Sequence, residues 1–223
     1  MIPLRDDRPT RTVAVVTMAI ILVNALVFWH ELSLGTPRKV EAFFARFALT
    51  PAYLTHAPSV DSFLSIFTSM FVHGGWLHIL GNMLYLWIFG NNVEDSLGHF
   101  RFIVFYLLCG VAAAAAQVVI SPNSEIPMIG ASGAISGVLG AYLLLFPRAR
   151  VLVLFPIWIF WRIFYVPAML MLVLWFGMQL LSGLAVLHMD INGGVAFWAH
   201  VGGFVAGIVL APLFKKRGVR LFQ

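Results

Sequence analysis

Long apolar stretches separated by short polar segments dominate the pattern along this chain. A helix needs about 20 mostly apolar residues to cross a bilayer. We therefore predict that the stretches form membrane-spanning helices with approximate bounds. They are Thr12–Trp29, Trp76–Phe89, Phe100–Ile120, Ser132–Pro147, Val166–Leu187 and Phe197–Phe214.

Two connecting segments are also apolar, but prolines interrupt them. The first connection, His30–Val72, includes the aromatic run Phe43–Phe47, which is too short to span a bilayer. We expect this run to lie at the membrane interface as an amphipathic or re-entrant piece. Val151–Trp161 is broken by Pro156 and is predicted to be an interfacial connection between the fourth and fifth spans.

The composition supports a membrane protein. The chain is 61% hydrophobic and 10% charged, whereas soluble domains are roughly 45–50% apolar and 25% charged. A soluble fold has too little polar surface to cover so much apolar area. The predicted fold class is therefore an all-α membrane protein, a bundle of six transmembrane helices with a partly membrane-embedded first external loop.

Basic residues lie mainly at the two ends of the chain and in the loops that share their side, and such residues mark the cytoplasmic side of spans. We predict a multi-pass plasma-membrane protein with both termini in the cytoplasm. The predicted domains are a cytoplasmic segment 1–11, a membrane domain 12–214 and a basic tail 215–223. Basic clusters in these positions anchor spans and do not form the surface stripe that binds nucleic acid.

Polar side chains inside the predicted spans are the candidates for function, because they are costly in hydrocarbon. His78 and Asn82 share one face of the second span, since they are four residues apart. Ser132 lies at the start of the fourth span, where a serine is also a common helix cap. His200 lies in the sixth span and is either a buried structural histidine or a general base.

These groups are predicted to lie at similar depth. Ser132 precedes Pro147 by 15 residues, and His200 precedes Lys215 by 15. At 1.5 Å per residue, both are roughly 22 Å from the cytoplasmic ends of their helices. His78 precedes Asn91 by 13 residues, so it is roughly 20 Å from the cytoplasmic end of its helix.

Small residues predict which helices meet at that depth. Gly133 and Gly137 form a small face on the fourth span, and Gly203 and Gly207 form one on the sixth. Such faces let helix backbones approach closely. If they pack together, Ser132 and His200 become neighbours.

A serine beside a histidine is the arrangement that nucleophilic catalysis requires, because the base removes the hydroxyl proton. The Asn82 amide, the His78 side chain and the Ser132 backbone N–H are candidates to stabilise the oxyanion that forms. The spans are predicted to contain no carboxylate, and Asp190 and Glu125 are assigned to external loops. We therefore predict a Ser132–His200 dyad without a third, acidic member.

Three motifs of this sequence resemble those of the rhomboid family of intramembrane serine proteases. The matching motifs occur in the family's order, on the second, fourth and sixth spans. They are His73-Gly74-Gly75-Trp76-Leu77-His78-Ile79-Leu80-Gly81-Asn82, Gly130-Ala131-Ser132-Gly133 and Ala199-His200-Val201-Gly202-Gly203.

The resemblance implies a cavity open to the outside, Ser132 as nucleophile, His200 as base, and His78 and Asn82 at the oxyanion. It implies single-span membrane proteins as substrates, and no metal or cofactor. The chain departs from the family in two ways. Its first loop lacks the Trp-Arg pair of many bacterial relatives, and Ser136 occupies a position where some relatives have a tyrosine stacked on the base. Trp198 or helix packing is expected to orient His200 instead.

Other functions remain as alternatives: an inactive relative that binds transmembrane helices, a transporter or channel, or a metal site. The metal site would use His73, His78, His188 and His200. A zinc protease would usually carry His-Glu-x-x-His or a carboxylate ligand. His73 is otherwise expected to shape the mouth of the cavity. The fifth span and the segment from Leu187 to Phe197 are the candidate gates for substrate.

Overall fold

The structure is a computed structural model that describes residues 2–157, 160–189 and 195–223, without the side chains of residues 156, 157, 188 and 189. Helices dominate it, which confirms the predicted helical membrane fold. The helices are α1 (Val15–Ser33), α2 (Pro37–Phe47), α3 (Pro51–His56), α4 (Val60–Thr68), α5 (Trp76–Leu97), α6 (His99–Ile120), α7 (Ser132–Leu145), α8 (Ala168–Met189) and α9 (Phe197–Phe214).

Within the described residues, four helices are long and apolar enough to cross a membrane: α1, α6, α8 and α9. A fifth candidate is α4 with the following turn joined to α5, bent by 79°. Helix α7 is apolar but has only 14 residues, so it is shorter than a full span. The protein is therefore a multi-pass membrane protein, and its six predicted stretches correspond to α1 and α5–α9.

The first connection folds as short helices. Helix α2 contains the aromatic run and is amphipathic, in agreement with the predicted interfacial piece. Helix α4 begins with a capping box, in which the side chains of Ser59 and Ser62 each accept a hydrogen bond from the other's backbone N–H. A one-turn 3₁₀ helix, Ser69–Phe71, then leads towards α5.

A small sheet is the part of the fold that the hydropathy pattern does not predict. Strand β1 (Ile2–Asp6) pairs antiparallel with β2 (Arg150–Ile157), which pairs antiparallel with β3 (Phe160–Pro167). The predicted interfacial connection is thus a β-hairpin in its described part. The N-terminal segment joins it as an edge strand, although its polar residues indicate only a solvated terminus.

The bundle is built around α5, α6, α7 and α9. Large aromatic side chains fill the space between these helices and are almost completely buried; they include Phe89, Phe102, Phe105, Tyr106 and Tyr142. Helix α8 lies to one side of this group and exposes a stripe of apolar side chains, including Leu170, Leu174, Met178 and Leu181. In a membrane protein, such a stripe faces lipid.

Candidate active site

Ser132 and His200 lie side by side. Ser132 is the first residue of α7, and His200 is in the first turn of α9. The Ser132 Oγ and His200 Nε2 atoms are 2.8 Å apart, which is a good hydrogen-bond distance. The two residues are separated by 68 positions in the sequence, so the packing of α7 against α9 creates this contact.

Glycines allow that packing. A Cβ atom on Gly203 would overlap the carbonyl oxygen of Gly133, and a Cβ on Gly207 would overlap that of Gly137. The two small faces identified in the sequence therefore lie against each other, backbone to backbone. Gly140 extends the contact, because a Cβ there would overlap the carbonyl oxygen of Phe204.

His78 and Asn82 line the same cavity as the serine and histidine. Both approach Gly130, two residues before Ser132. A Cβ on Gly130 would lie 2.8 Å from His78 Cε1 and 3.4 Å from Asn82 Nδ2. Gly130 also has a φ of +110°, a conformation that other residues adopt only with strain. Gly130 thus lets the chain enter α7 close beside the two polar side chains of α5.

His73 holds Asn82 in place. Its Nε2 atom is 3.0 Å from Asn82 Nδ2, and its Nδ1 atom is 3.2 Å from the carbonyl oxygen of Phe71. These contacts fit one tautomer, in which Nδ1–H donates to the carbonyl and Nε2 accepts from the amide. His73 is 1% exposed, so it supports the site from behind rather than only shaping the mouth of the cavity.

Glu31 corrects the prediction that the spans contain no carboxylate. The predicted first span ends at Trp29, but α1 continues to Ser33 and includes Glu31. The carboxylate is buried, and its Oε1 atom accepts a hydrogen bond of 3.1 Å from the His73 backbone N–H. It therefore belongs to the network behind Asn82 and makes no hydrogen bond to His200.

Gln179 is the site residue that the sequence pattern misses. Its Oε1 atom is 2.8 Å from His200 Nδ1, on the opposite side of the imidazole from Ser132. Trp175, one turn earlier on α8, lies with its ring centroid 6.0 Å from that of His200, at an interplanar angle of 33°. A polar amide within an apolar span is the feature that could have identified Gln179.

The structure also shows where Ser136 and Trp198 lie relative to His200. Ser136 is buried, and its hydroxyl donates to the Ser132 carbonyl at 2.6 Å, so it makes no hydrogen bond to His200. Trp198 is on the same helix as His200, but its indole lies against Gly183 of α8; a Cβ there would be 3.2 Å from Trp198 Cε2. Besides Ser132 of α7, the groups that contact the imidazole are Gln179 and Trp175 of α8.

The cavity has a volume of about 1220 Å³. Its walls come mainly from α5–α9 and from the loop before Ser132, with further residues from α3, α4 and the 3₁₀ helix. Within the described part of the chain, no group of three or more His, Cys, Asp and Glu side chains is arranged to hold a metal ion. The His188 side chain and most of the segment between α8 and α9, including Asp190, Gly193 and Gly194, lie outside the described residues.

Comparison with known proteins agrees with this architecture. The family model described as "Rhomboid domain" matches residues 60–217. Similar proteins include "Rhomboid protein 1, mitochondrial" from Saccharomyces cerevisiae, which is 31% identical over 70% of this chain and 43% of its own length. "Rhomboid-like protein 11, chloroplastic" from Arabidopsis thaliana is 28% identical over 85% of this chain and 65% of its own length.

"Rhomboid protease GluP" from Bacillus subtilis is 32% identical over 66% of this chain and 25% of its own length. The chain therefore spans less than two thirds of each of these relatives. The family model nevertheless covers most of the chain, including α5–α9 and hence Ser132 and His200. The chain belongs to the rhomboid family.

Proposed function

We propose that this protein is an intramembrane serine endopeptidase that hydrolyses peptide bonds in or near the transmembrane segments of single-span membrane proteins. The observation that carries the proposal is the 2.8 Å contact between Ser132 Oγ and His200 Nε2 at the wall of a large cavity. A hydroxyl needs an adjacent base to become a nucleophile. The similarity to a named protease within the family supports the same reaction class.

The reaction begins when Ser132 Oγ attacks the peptide carbonyl and its proton passes to His200 Nε2. The carbonyl oxygen then carries the negative charge of a tetrahedral intermediate. His200 returns the proton to the leaving amine, and the C–N bond breaks to leave an acyl-enzyme. Water, deprotonated by His200, then hydrolyses the ester and releases Ser132.

The oxyanion is assigned to three donors: the Ser132 backbone N–H, the Asn82 amide and the His78 side chain. As the first residue of α7, Ser132 has an N–H without an intrahelical acceptor. The positive end of the helix dipole at this position favours negative charge. Asn82 donates to His73 with one of its two amide hydrogens, which leaves the second free for the oxyanion.

A dyad is sufficient for this mechanism. The His200 Nδ1 atom faces a neutral amide oxygen, and no described carboxylate lies within hydrogen-bond distance of the imidazole. An amide can fix the tautomer of a catalytic histidine, as an asparagine does in papain-like proteases.

The substrate is proposed to be a transmembrane helix because the site opens within a bundle of membrane helices. An intact helix buries its carbonyl groups in hydrogen bonds, so the substrate must unwind to expose the bond that is cut. Following the family resemblance, we expect small residues at that bond. Lipid surrounds the helices, and no nucleic-acid partner or cofactor is proposed.

Both termini are proposed to face the cytoplasmic side, on the basis of the Lys and Arg bias. The names of two relatives assign those proteins to mitochondria and chloroplasts. These names therefore do not support a location in the plasma membrane for this protein, and that location stays a prediction.

A direct test is cleavage of a model single-span substrate by the purified protein in liposomes. Ser132→Ala should abolish cleavage. Ser96→Ala is the matched control, because it also removes a buried serine hydroxyl, one that donates to the Asn92 carbonyl near the other end of α5, and it should leave the rate within about threefold. Cleavage that survives Ser132→Ala would refute the proposal. Tight binding of the substrate helix without cleavage by the wild type would favour the inactive helix-binding alternative.

A further inference from the structure

Helix α8 provides a hydrogen bond to the imidazole of His200. The Gln179 Oε1 atom is 2.8 Å from His200 Nδ1, and the Ser132 Oγ atom is 2.8 Å from His200 Nε2. The two ring nitrogens thus have one partner each, on opposite sides of the ring. An amide oxygen is only an acceptor, so the Nδ1 atom must carry the proton.

The position of that proton determines what the other nitrogen can do. A neutral imidazole has one protonated nitrogen and one with a free lone pair. When Nδ1 is protonated and bonded to Gln179, the lone pair is on Nε2, which faces the Ser132 hydroxyl. In the other tautomer, Nε2–H would point at Ser132 and could not accept its proton.

Trp175 adds a steric constraint on the same side. Gln179 and Trp175 are four residues apart on α8, so they lie on one face of that helix. The Trp175 ring is tilted by 33° from the imidazole plane and also packs near Phe204 of α9. This contact limits rotation of the imidazole, while the amide selects its tautomer.

We propose that Gln179 is a positioning residue that holds His200 in the Nδ1–H tautomer, with its Nε2 lone pair directed at Ser132. The proposal rests on the serine protease function proposed above and identifies what replaces the missing acidic group of a triad. Gln179 lines the cavity, but it acts through His200, because its amide oxygen bonds Nδ1, the ring nitrogen on the opposite side from Ser132.

The proposal makes the lateral position of α8 part of the active-site geometry. Helix α8 exposes many apolar side chains to lipid, and Met178, adjacent to Gln179, is 54% exposed. Displacement of α8 away from α9 would break the Gln179–His200 hydrogen bond. The base is therefore correctly oriented only when α8 is packed against α9.

The test compares Gln179→Met with Gln179→Glu. Methionine has a similar length but lacks the strong acceptor, so kcat should fall about 10- to 100-fold with little change in KM. Glutamate keeps an acceptor oxygen and should restore most of the activity. An ionised carboxylate would also stabilise the imidazolium, so the acidic limb of the pH–rate profile should move to higher pH.

A purely structural role for Gln179 gives the opposite order. A carboxylate that replaces a half-buried amide costs more than a thioether does, so Gln179→Glu would then be the more damaged variant. The other titratable side chains that line the cavity in its described part are His78 and Tyr85 of α5 and Glu125 of the loop before α7. These residues are unchanged in both variants. Met178→Leu, on the lipid-facing side of α8, is the control and should match the wild type.

A second measurement keeps this inference separate from the protease activity. ¹⁵N NMR of the histidine-labelled protein in micelles at a pH of about 8, where imidazoles are mostly neutral, reports the tautomer directly. The His200 signals, assigned by their loss in His200→Ala, should show Nδ1–H in the wild type and a shift towards Nε2–H in Gln179→Met.

The inference is overturned if His200 has the same tautomer in both proteins. It is also overturned if the wild type cleaves substrate and Gln179→Met stays within about twofold of its kcat, or if both Gln179 variants lose equal activity without a change in pH profile. A wild type that never cleaves would refute the protease function alone, and the NMR result would still decide the role of Gln179.

Discussion

Helix α5 carries fully or partly buried polar side chains at both of its ends, and the two groups differ in what surrounds them. At the start of the helix, His78 and Asn82 face the large cavity beside Ser132. Near its end, Glu94 is completely buried and accepts hydrogen bonds from the backbone N–H groups of Val16 and Thr17 and from the Thr17 hydroxyl. The first group faces an open cavity, whereas hydrogen bonds from other parts of the protein satisfy the second group.

The polar side chains near the C-terminal end of α5 form hydrogen bonds with several other elements. Glu94 satisfies the free N–H groups at the start of α1, as a helix cap does. Asn92 donates to the Asp6 carboxylate at 2.7 Å, and the Tyr142 hydroxyl donates to the same oxygen at 2.6 Å. These contacts connect α5, α7 and the N-terminal strand. A polar residue buried in a membrane helix thus marks a reaction site only where it also faces an accessible cavity.

The largest expected contrast comes from one substitution made at each end of α5. Asn82→Ala should lower kcat by about 10²–10³-fold, because it removes one oxyanion donor. Asn92→Ala should leave kcat unchanged in the folded protein and lower stability by about 1 kcal/mol, the typical net value of a hydrogen bond. Cleavage kinetics and thermal unfolding in the same detergent measure both effects. An equal loss of kcat in the two variants would break the distinction between the ends.

The glycine contact between α7 and α9 is expected to show the next largest effect. Gly207→Ala would place a methyl group against the Gly137 carbonyl and should destabilise the protein by about 1–3 kcal/mol. Gly177→Ala on α8 is the matched control, because a Cβ at that position meets nothing within 4 Å. Alanine also favours a helix by up to about 1 kcal/mol over glycine. Thermal unfolding should therefore give shifts of opposite sign, and a stable Gly207→Ala variant would contradict the close contact.

A smaller effect is expected when the capping carboxylate is neutralised. Glu94→Gln keeps the side-chain length but weakens the hydrogen bonds of the carboxylate to the start of α1 and to His99, whose Nδ1 atom is 2.6 Å from Glu94 Oε1. The expected cost is about 1–2 kcal/mol. Thermal unfolding measures this cost, and single-turnover cleavage by the remaining folded protein should be unchanged. A selective loss of the cleavage rate would mean that this end of α5 contributes to the site.

The smallest effect concerns Asp6 in the N-terminal strand. Burial raises the pKa of Asp6 above its ordinary value of 3.8, and the hydrogen bond from Tyr142 opposes that shift. Because the folded state then binds the proton more tightly than the unfolded state, the contribution of Asp6 to stability falls as the pH rises from about 3.8 through the raised pKa. Asp6→Asn removes this titration.

The checking measurement is the difference in melting temperature between Asp6→Asn and the wild type as a function of pH. The melting temperature of Asp6→Asn should increase relative to that of the wild type as the pH rises from about 3.8 through the raised pKa. A pH-independent difference would mean that Asp6 does not titrate between the two states. Cleavage kinetics should not distinguish the two proteins.

The elements of the fold that can be predicted best are those whose pattern extends over many residues. Apolar stretches define the spans because lipid requires them, and the last predicted span, Phe197–Phe214, has the bounds of α9. The predicted end of α5 was wrong, because Gly90-Asn91-Asn92 is typical of a helix stop while the helix continues to Leu97. The polar residues in that last section are satisfied by contacts with other elements, which a hydropathy pattern does not contain.

The site was predictable where chemistry and spacing coincide. Ser132 and His200 are conspicuous because polar groups are rare in spans, and the glycine faces indicate that their helices meet. Gln179 is harder to predict, because it is a neutral residue that belongs to no motif. Its role also depends on which face of α8 packs against α9, and the hydropathy pattern does not specify that face. The hydropathy pattern ends the first span at Trp29, before Glu31, because a charged residue near the end of an apolar stretch is typical of a helix boundary.

The strands were missed for a related reason. Ile2–Asp6 has few apolar residues, and its pairing partner begins at Arg150. A sheet that joins two distant segments has no local periodicity that hydropathy would reveal. Its strands also lie beside long apolar runs, which dominate the pattern in this chain.

The most direct measurement of the central claim is the reaction of the purified protein with a fluorophosphonate probe, with the modified residue located by mass spectrometry. The probe should form a covalent adduct on Ser132 alone, and His200→Ala should lose the labelling because nothing then removes the hydroxyl proton. Labelling of another residue, or labelling of His200→Ala at the rate of the wild type, would contradict the account.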